Sequence, residues 1–374
     1  MSFFELIKTD AETKARVGIL HTDHGDIPTP IFMPVGTQGT VKALEQRNLL
    51  ELDAKIILGN TYHLYLRPGM DVMKHFGGLH KFIRWNRAIL TDSGGYQVFS
   101  LQDLRRISDE GVEFRSHIDG SRHFFSARKV VEIQKILGSD VMMVLDECVP
   151  YGADEQYTRR SMELSYRWAV ESRENFKSIP QMWDHRQFQF AICQGGMFSN
   201  LRKEYAERVT QHDFDGFSIG GLSVGEPTEL MYELTDLTTD ILPKEKPRYL
   251  MGVGTPENIL EAIERGVDMF DCVLPTRNAR NGQLFTTQGK INIRNQQYKY
   301  SDEPIDPYFS DNENYTLGYL RHLFISKEIL GLILATRQNI RFYLWLVRTA
   351  REKILTGEFR QWKKEFLSSY LEKK

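Results

Sequence analysis

Residues 140–147 read DVMMVLDE, in which one Asp precedes five apolar residues and two carboxylates follow them directly. Runs of this kind, apolar and then ended by Gly or a polar side chain, recur along the chain. The others are Pro30-IFMPVG, Lys55-IILGN, Ala88-ILTDSGG, Gln189-FAICQGG, Gly216-FSIGG, Arg248-YLMGVG and Asp268-MFDCVLP. Short apolar runs rich in Ile, Val, Phe and Met are typical of strands buried on both faces. The sequence therefore predicts eight buried strands.

Segments with helical spacing lie between these runs. Ser126-ARKVVEIQKILG and Glu257-NILEAIERG each place their apolar residues on one stripe and end on a glycine, Gly138 and Gly266. Strands that alternate with helices predict a parallel sheet. Eight such units, complete by about residue 275, match an α/β fold, the (β/α)8 TIM barrel. A doubly wound open sheet is the alternative, although it gives no reason to stop at eight.

The pattern changes after Pro275. Gly282-QLFTTQGKINIRN alternates with period two around a Gln-Gly turn, which predicts a hairpin. From Tyr315 onward the spacing is helical, and the residues spaced for burial are Leu320, Leu323, Phe324, Leu330 and Ile333. We therefore assign residues 1–280 to a catalytic barrel. Residues 281–374 form an appended C-terminal hairpin and helical, basic subdomain that completes the barrel.

The composition is that of an ordinary soluble globular protein. Of 374 residues, 41% are hydrophobic and 26% are charged, which excludes a disordered chain, a collagen and a coiled-coil rod. No stretch approaches the eighteen apolar residues of a membrane span, and no signal peptide is evident. The cysteines, Cys148, Cys193 and Cys272, form no Cys-x-x-Cys pair. We expect a cytoplasmic protein without membrane association.

Charge is distributed unevenly along the chain. The formal net charge is −2, but residues 321–374 carry twelve Lys and Arg against five Asp and Glu. That tail is therefore +7 and the remainder −9. A basic appendage on an acidic body indicates either a phosphate-binding surface or a solvated helix face.

The predicted strands end in residues that can do chemistry. In a barrel these ends share one rim, which carries the active site. The residues there are Asn60, Asp92, Asp146 with Glu147, Gln194, Gly220 with Gly221, Met251 and Asp271. Taken singly, Asp92 could cap a helix, Asp271 could form a structural ion pair, and Gln194 could bond loop backbone. Their coincidence at equivalent strand ends favours a site.

Two carboxylates facing each other across a sugar suggest glycosyl chemistry. One attacks the anomeric carbon, and the other, with a raised pKa, handles the proton of the leaving group. We expect no metal site, because His63, His117 and His123 lack ligand-like spacing with Cys or carboxylate partners. Gly252-Val-Gly254 is only a weak candidate for a phosphate loop.

Several blocks resemble one family closely. They are Thr91-DSGGYQVFS, Asp140-VMMVLDEC, Gln194-GG, Gly220-GLSVGEP, Leu250-MGVGTPENI and Met269-FDCVLPTRNARNGQLFT, within a resemblance from about residue 5 to about residue 355. They are similar to the bacterial-type queuine tRNA-ribosyltransferases, or tRNA-guanine transglycosylases. The resemblance implies a (β/α)8 enzyme of queuosine biosynthesis that exchanges guanine at the tRNA wobble position for 7-aminomethyl-7-deazaguanine (preQ1), through a covalent enzyme-ribosyl intermediate. It also implies a homodimer acting on tRNAs with a GUN anticodon, those for Asp, Asn, His and Tyr.

The resemblance also implies residue roles. Asp271 matches the nucleophile and Asp92 the general acid/base. The base-binding residues it implies are Asp146, Gln194 and the Gly221 backbone at the guanine edge, Tyr96 and Met251 on the two ring faces, and Leu222 and Glu226 near the 7-substituent. Cys148 and Val224 resemble the bacterial pocket, which favours preQ1 over queuine. Arg277 and Arg280 would grip the anticodon loop, or form only a surface pair.

One feature departs from the family. Its C-terminal part holds zinc through Cys-x-Cys-x2-Cys and a later His, whereas this chain has no cysteine after Cys272. The residues standing near those ligand positions are Pro307, Phe309, Asn312 and Gln338. We expect no cofactor and a zinc-free subdomain, held by packing among Tyr315, Tyr319, Leu320, Leu323 and Ile333.

Two rival hypotheses remain open. A non-catalytic paralogue of the family would serve as a tRNA-binding subunit, but both carboxylates and the base-reading residues are present. An unrelated barrel glycosidase or lyase would act on a small substrate and would ignore tRNA, which would make the basic tail and the arginines coincidental.

Overall fold

The computed structural model describes residues 2–99, 105–309 and 315–372. Its strands are β1 (Phe4–Thr9), β2 (Arg16–Thr22), β3 (Gly25–Thr29), β4 (Ile31–Pro34), β5 (Ile56–Gly59), β6 (Ala88–Thr91), β7 (Arg105–Ile107), β8 (Val112–Arg115), β9 (Arg122–Phe125), β10 (Val141–Met143), β11 (Phe188–Cys193), β12 (Gly216–Ile219), β13 (Arg248–Leu250), β14 (Met269–Cys272), β15 (Gln283–Thr286) and β16 (Gly289–Asn292).

The α-helices are α1 (Gln46–Glu51), α2 (Thr61–Leu66), α3 (Met70–Phe76), α4 (Leu79–Ile83), α5 (Gly95–Phe99), α6 (Ala127–Leu137), α7 (Glu155–Ser178), α8 (Ser199–Val209), α9 (Thr228–Ile241), α10 (Pro256–Glu264), α11 (Leu274–Arg280), α12 (Leu317–Ile325), α13 (Ile329–Thr356) and α14 (Phe359–Glu372). A 3-10 helix spans Gln296–Tyr300. Within the described parts of the chain, none of these helices has the length and apolar character that crossing a bilayer requires.

Eight parallel strands form the barrel. Their order is β4-β14-β13-β12-β11-β10-β6-β5, and a parallel bridge between Val35 and Leu58 joins the two ends. All eight predicted strands are present, so the TIM barrel prediction is confirmed and the open doubly wound sheet is wrong. Because the strands are parallel, their carboxyl ends lie on one rim.

The two helices predicted from apolar spacing also form. Ser126 caps α6 by accepting a hydrogen bond from the Lys129 amide, and Gly138 ends it in the left-handed region at φ 70°. Helix α10 ends at Glu264, two residues before the glycine that we expected to terminate it. Two antiparallel sheets, β1-β2-β3 and β7-β8-β9, were not anticipated from the sequence.

The C-terminal segment contains the predicted hairpin, in which β15 and β16 pair antiparallel. A second group of buried apolar residues lies under it: Ala279, Leu284, Ile293, Leu317, Leu320, Leu323, Phe324, Leu334 and Ala335. The predicted packing set is therefore wrong in part. Tyr319 is 42% exposed, and Leu334 takes the buried position that we assigned to the half-buried Ile333. The boundary at residue 280 stays a prediction.

Helix α13 packs on the barrel and holds two of its loops. The Tyr343 hydroxyl donates to the Gly254 carbonyl, in the loop that follows β13. The Asn339 amide donates to the carbonyls of Pro275, 2.9 Å away, and Gln283, 3.0 Å away. The helix therefore fixes backbone on both sides of the strand that carries Asp271.

Opposite charges join the basic tail to the acidic body. Arg337 pairs with Glu51 at 3.1 Å, and Lys363 pairs with Glu261 at 2.6 Å and with Glu264. The guanidinium of Arg348 donates to backbone carbonyls of the loop after α1. Part of the charge asymmetry is therefore explained by packing between tail and barrel, not by a phosphate-binding surface.

Candidate active site

The carboxyl ends of the barrel strands surround a cavity of about 530 Å³, a size suited to a small heterocycle and its sugar. Eight of the eleven predicted site residues line it: Asp92, Tyr96, Asp146, Gly221, Leu222, Met251, Asp271 and Arg277. Gln194 and Glu226 contact residues of this wall, and Arg280 lies in α11 beside it.

Asp92 follows β6, and its carboxylate accepts hydrogen bonds from residues that follow the neighbouring strand β5. The Asn60 amide donates to its Oδ2, and the backbone N–H of Thr61 donates to its Oδ1 at 2.8 Å. Burial raises the pKa of the Asp92 carboxyl to about 6, although the hydrogen bonds it accepts oppose the rise. A carboxyl with this pKa can release and recover a proton near neutral pH.

Asp271 lies within β14 and is held differently. The Tyr249 hydroxyl and the Gly252 amide donate to its Oδ1, at 2.6 Å and 2.8 Å. Among the described residues both bonds go to this one oxygen, so Oδ2 is the oxygen available to a substrate. Burial raises the pKa of Asp271, and the two donors oppose that rise.

Asp146 and Gln194 form a connected pair. The Gln194 amide nitrogen donates to Asp146 Oδ2 at 2.7 Å, and the Ser93 hydroxyl lies 3.4 Å from Oδ1. Burial raises the pKa of Asp146 to about 6, and the nearby Asp92 carboxylate adds to the rise. Gln194 Oε1 is buried without a hydrogen-bond partner among the described residues. Such a pair can reorganise to bond the polar edge of a base.

Gly221 adopts a left-handed backbone conformation that favours glycine. Its φ is +65°, and a Cβ there would come within 2.6 Å of Gln194 Oε1. Behind it, the fully buried Arg202 guanidinium donates to the carbonyls of Gly196, at 2.8 Å, and Gly220. Arg202 thus fixes two backbone segments, the one just after Gln194 and the one just before Gly221.

Comparison with known proteins decides the family. The chain matches the queuine tRNA-ribosyltransferase family model over residues 10–372. This chain belongs to the queuine tRNA-ribosyltransferase family. The queuine tRNA-ribosyltransferase of Caldanaerobacter subterraneus subsp. tengcongensis is 56% identical over 369 residues, covering 98% of this chain and 97% of the relative. Those of Thermoanaerobacter pseudethanolicus and Oleidesulfovibrio alaskensis are 54% and 53% identical and cover 98% of this chain, with 97% and 96% of their own lengths matched.

The residues that family resemblance assigns to the base are arranged around the cavity. Tyr96, on α5, is 63% exposed, and Met251 is half-buried after β13. Leu222 is buried, and Cys148 and Val224 also line the wall. These side chains provide apolar surface beside the carboxylates.

Glu226 and Arg280 lie outside the cavity lining, whereas Arg277 is part of it. The Glu226 carboxylate accepts from the backbone N–H groups of Ser223 and Val224 and holds the loop that lines the cavity. Arg277 is exposed and lines the cavity. Arg280 is half-buried and donates to the Thr276 carbonyl at 2.8 Å within its own helix.

The C-terminal residues near the family's zinc-ligand positions do not suit zinc. Pro307 and Phe309 carry no ligand atom, and the Gln338 amide donates to the Phe285 carbonyl and to Asp306, 3.0 Å and 3.1 Å away. Zinc prefers thiolate, imidazole or carboxylate ligands. Asn312 lies outside the described residues.

Sequence reasoning missed three features. Tyr249 lies within β13 and looks like a core aromatic residue, and Arg202 lies on the apolar face of α8. A buried arginine on an apolar stripe is a signal that could have been noticed. The third is a group formed by His24, His80 and His185, whose distances along the chain gave no spacing to recognise.

Proposed function

We propose that the chain is a tRNA-guanine transglycosylase, a pentosyltransferase that replaces guanine at the anticodon wobble position of tRNA. The observation that carries this proposal is the pair Asp92 and Asp271, which line one cavity in differently built environments. Glycosyl exchange with retention needs such a pair, one carboxylate as nucleophile and one carboxyl to move a proton.

In the first half-reaction Asp271 Oδ2 attacks C1′ of the ribose as the bond to guanine breaks. The donors on Oδ1 hold the carboxylate in place for the attack. Asp92 gives its proton to the departing guanine, whose ring nitrogen would otherwise leave as an anion. In the second half-reaction Asp92 takes the ring N–H proton of the incoming base, which attacks C1′ and releases Asp271.

Recognition of the base is assigned to the Asp146 and Gln194 pair. Asp146 accepts from the N–H and amino edge of guanine, while Gln194 and the backbone at Gly221 bond its carbonyl side. Tyr96 and Met251 contact the two ring faces. Support comes from the shared cavity wall and from the bond that already joins Asp146 to Gln194.

We infer that the incoming base is preQ1. The wall near its 7-substituent is formed by Leu222, Cys148 and Val224, and Glu226 braces that loop through its backbone. An aminomethyl group needs little room, whereas queuine carries a bulky cyclopentene ring. Competition between preQ1 and queuine for labelled guanine exchange tests this choice.

We propose a cytoplasmic homodimer that takes tRNAs with GUN anticodons through Arg277 and Arg280, and whose C-terminal subdomain needs no zinc. Sedimentation of the purified protein tests the dimer. Treatment with a chelator should leave base exchange unchanged, and a loss of exchange would place an essential metal in the enzyme.

The deciding experiment is incorporation of labelled guanine into unmodified tRNA that carries a GUN anticodon. A transglycosylase incorporates the label without any nucleotide cofactor, and a tRNA with another wobble base is the control. A non-catalytic paralogue would bind the tRNA without incorporating label. A barrel glycosidase for small substrates would do neither.

A further inference from the structure

Three histidine side chains from distant parts of the chain meet at the barrel end opposite the active site. His24 lies in the turn between β2 and β3, His80 in α4, and His185 in the segment before β11. One ligand nitrogen from each lies within 4.8 Å of the others. Asp140, which both His24 and His80 contact, immediately precedes β10. By contrast, Asp92 immediately follows β6, and Asp271 is the last residue but one of β14.

Every ring in this group has a hydrogen-bond acceptor. His24 Nδ1 is 2.7 Å and His80 Nε2 3.1 Å from the fully buried Asp140 carboxylate. His185 Nε2 is 2.8 Å from the Gly138 carbonyl. A neutral imidazole that donates from one nitrogen keeps the other nitrogen basic. Metal-binding histidines typically have a carboxylate or carbonyl acceptor of this kind behind them.

The segments that carry His24 and His185 are also joined by hydrogen bonds that do not involve the imidazole rings. Arg186, next to His185, donates to the Asp23 carboxylate from its backbone nitrogen at 2.7 Å, from Nε at 3.0 Å and from Nη2 at 2.6 Å. Asp23 is the neighbour of His24. This pairing fixes two of the three histidine-bearing segments against each other, which lowers the entropic cost of assembling ligands.

We propose that His24, His80 and His185 bind one divalent first-row transition ion, with the Asp140 carboxylate offsetting its charge. Three imidazoles are a ligand set that zinc, cobalt and nickel accept. The rings of His24 and His80 stack at 3.8 Å with an angle of 10° between them. Because nitrogen lone pairs lie in the ring plane, one ring must tilt, and His24, 21% exposed in a surface turn, has the room. The ion ties the β2-β3 turn to the barrel.

The test uses the tag-free full chain, stripped of metal and titrated with Co²⁺ and Zn²⁺. We expect one ion per chain, a visible cobalt absorption band and a higher thermal midpoint. At a free Zn²⁺ concentration of about 100 times Kd, the folded-to-unfolded ratio should rise about 100-fold. His24→Asn and His185→Asn should each weaken binding by a factor of about 10 or more, and Asp140→Asn by a factor of about 10 to 100.

His75→Asn is the matched control, because His75 is exposed on α3 outside the group. It should bind metal as the wild type does, and base exchange by His24→Asn should be unchanged. Failure to bind either ion below millimolar concentration would overturn the proposal, as would equal weakening by His75→Asn and His24→Asn. If Asp140→Asn fails to fold, metal binding by His24→Asn and His185→Asn still tests the proposed site. The base-exchange assay of the wild type tests the proposed function separately, because metal binding at the histidines does not depend on base exchange.

Discussion

Replacing Tyr249 by Phe removes one of the two hydrogen bonds to the proposed nucleophile and leaves the ring in place. The hydroxyl donates to Asp271 Oδ1 at 2.6 Å, and the Gly252 amide remains as the other donor. A hydrogen bond to a charged acceptor contributes about 1.5–3 kcal/mol, and one pKa unit corresponds to about 1.4 kcal/mol. The pKa of Asp271 should therefore rise by about 1 to 2 units in Tyr249→Phe.

The direction in which the pH profile should shift follows from the proposed roles of Asp271 as nucleophile and Asp92 as general acid. Attack requires Asp271 ionised and guanine departure requires Asp92 protonated, so kcat/KM for guanine exchange should be bell-shaped in pH. The acid limb reports Asp271, and it should move to higher pH by about 1 to 2 units in the variant. The basic limb should stay where it is, because Asp92 keeps its own donors.

Tyr157→Phe provides the matched control. Its hydroxyl also donates to a carboxylate at 2.6 Å, that of Glu147, which does not line the cavity. Its pH profile should equal that of the wild type. A uniform loss of rate in Tyr249→Phe with both limbs of the pH profile unmoved would refute the reasoning. Movement of the basic limb alone would indicate that Asp271 is the general acid and Asp92 the nucleophile.

Other substitutions test the rest of the site. Asp271→Asn should abolish base exchange and the denaturation-resistant tRNA adduct while tRNA still binds in a gel-shift assay, because an amide is a poor nucleophile; a persisting adduct would contradict this. Asp146→Ala should raise the KM for the free base by a factor of about 10 to 100 and that for tRNA far less, and equal effects would make Asp146 a structural residue. Gly221→Ala should impair base binding in the same assay, since the new Cβ would lie 2.6 Å from Gln194 Oε1; a wild-type KM would argue against the required close approach. Arg277→Ala should lower the slope of log affinity against log salt by about 0.7 to 0.9 if it contacts one phosphate, and Arg280→Ala should change the slope less because Arg280 donates to its own helix.

The barrel could be predicted because its strands are short apolar runs with a fixed order of helices between them. The rim residues followed from that, since each stands where a run ends. The details of their bonding could not be predicted. Tyr249 reaches Asp271 from a neighbouring strand, and sequence carries no information about which core hydroxyl meets which carboxylate. The basic tail was equally ambiguous, because charge counts do not show that Lys363 faces Glu261 and Glu264.

The contacts made by α13 have a consequence for the order of synthesis. The ribosome makes Ile329–Thr356 after every barrel strand, yet Tyr343 and Asn339 from this helix hold the backbone at Gly254 and Pro275. A nascent chain that ends before α13 therefore lacks the contacts that support the backbone on both sides of Asp271, the proposed nucleophile. Productive base exchange should begin only once α13 has been synthesised and packed on the barrel, so chains that end before this helix would not modify tRNA.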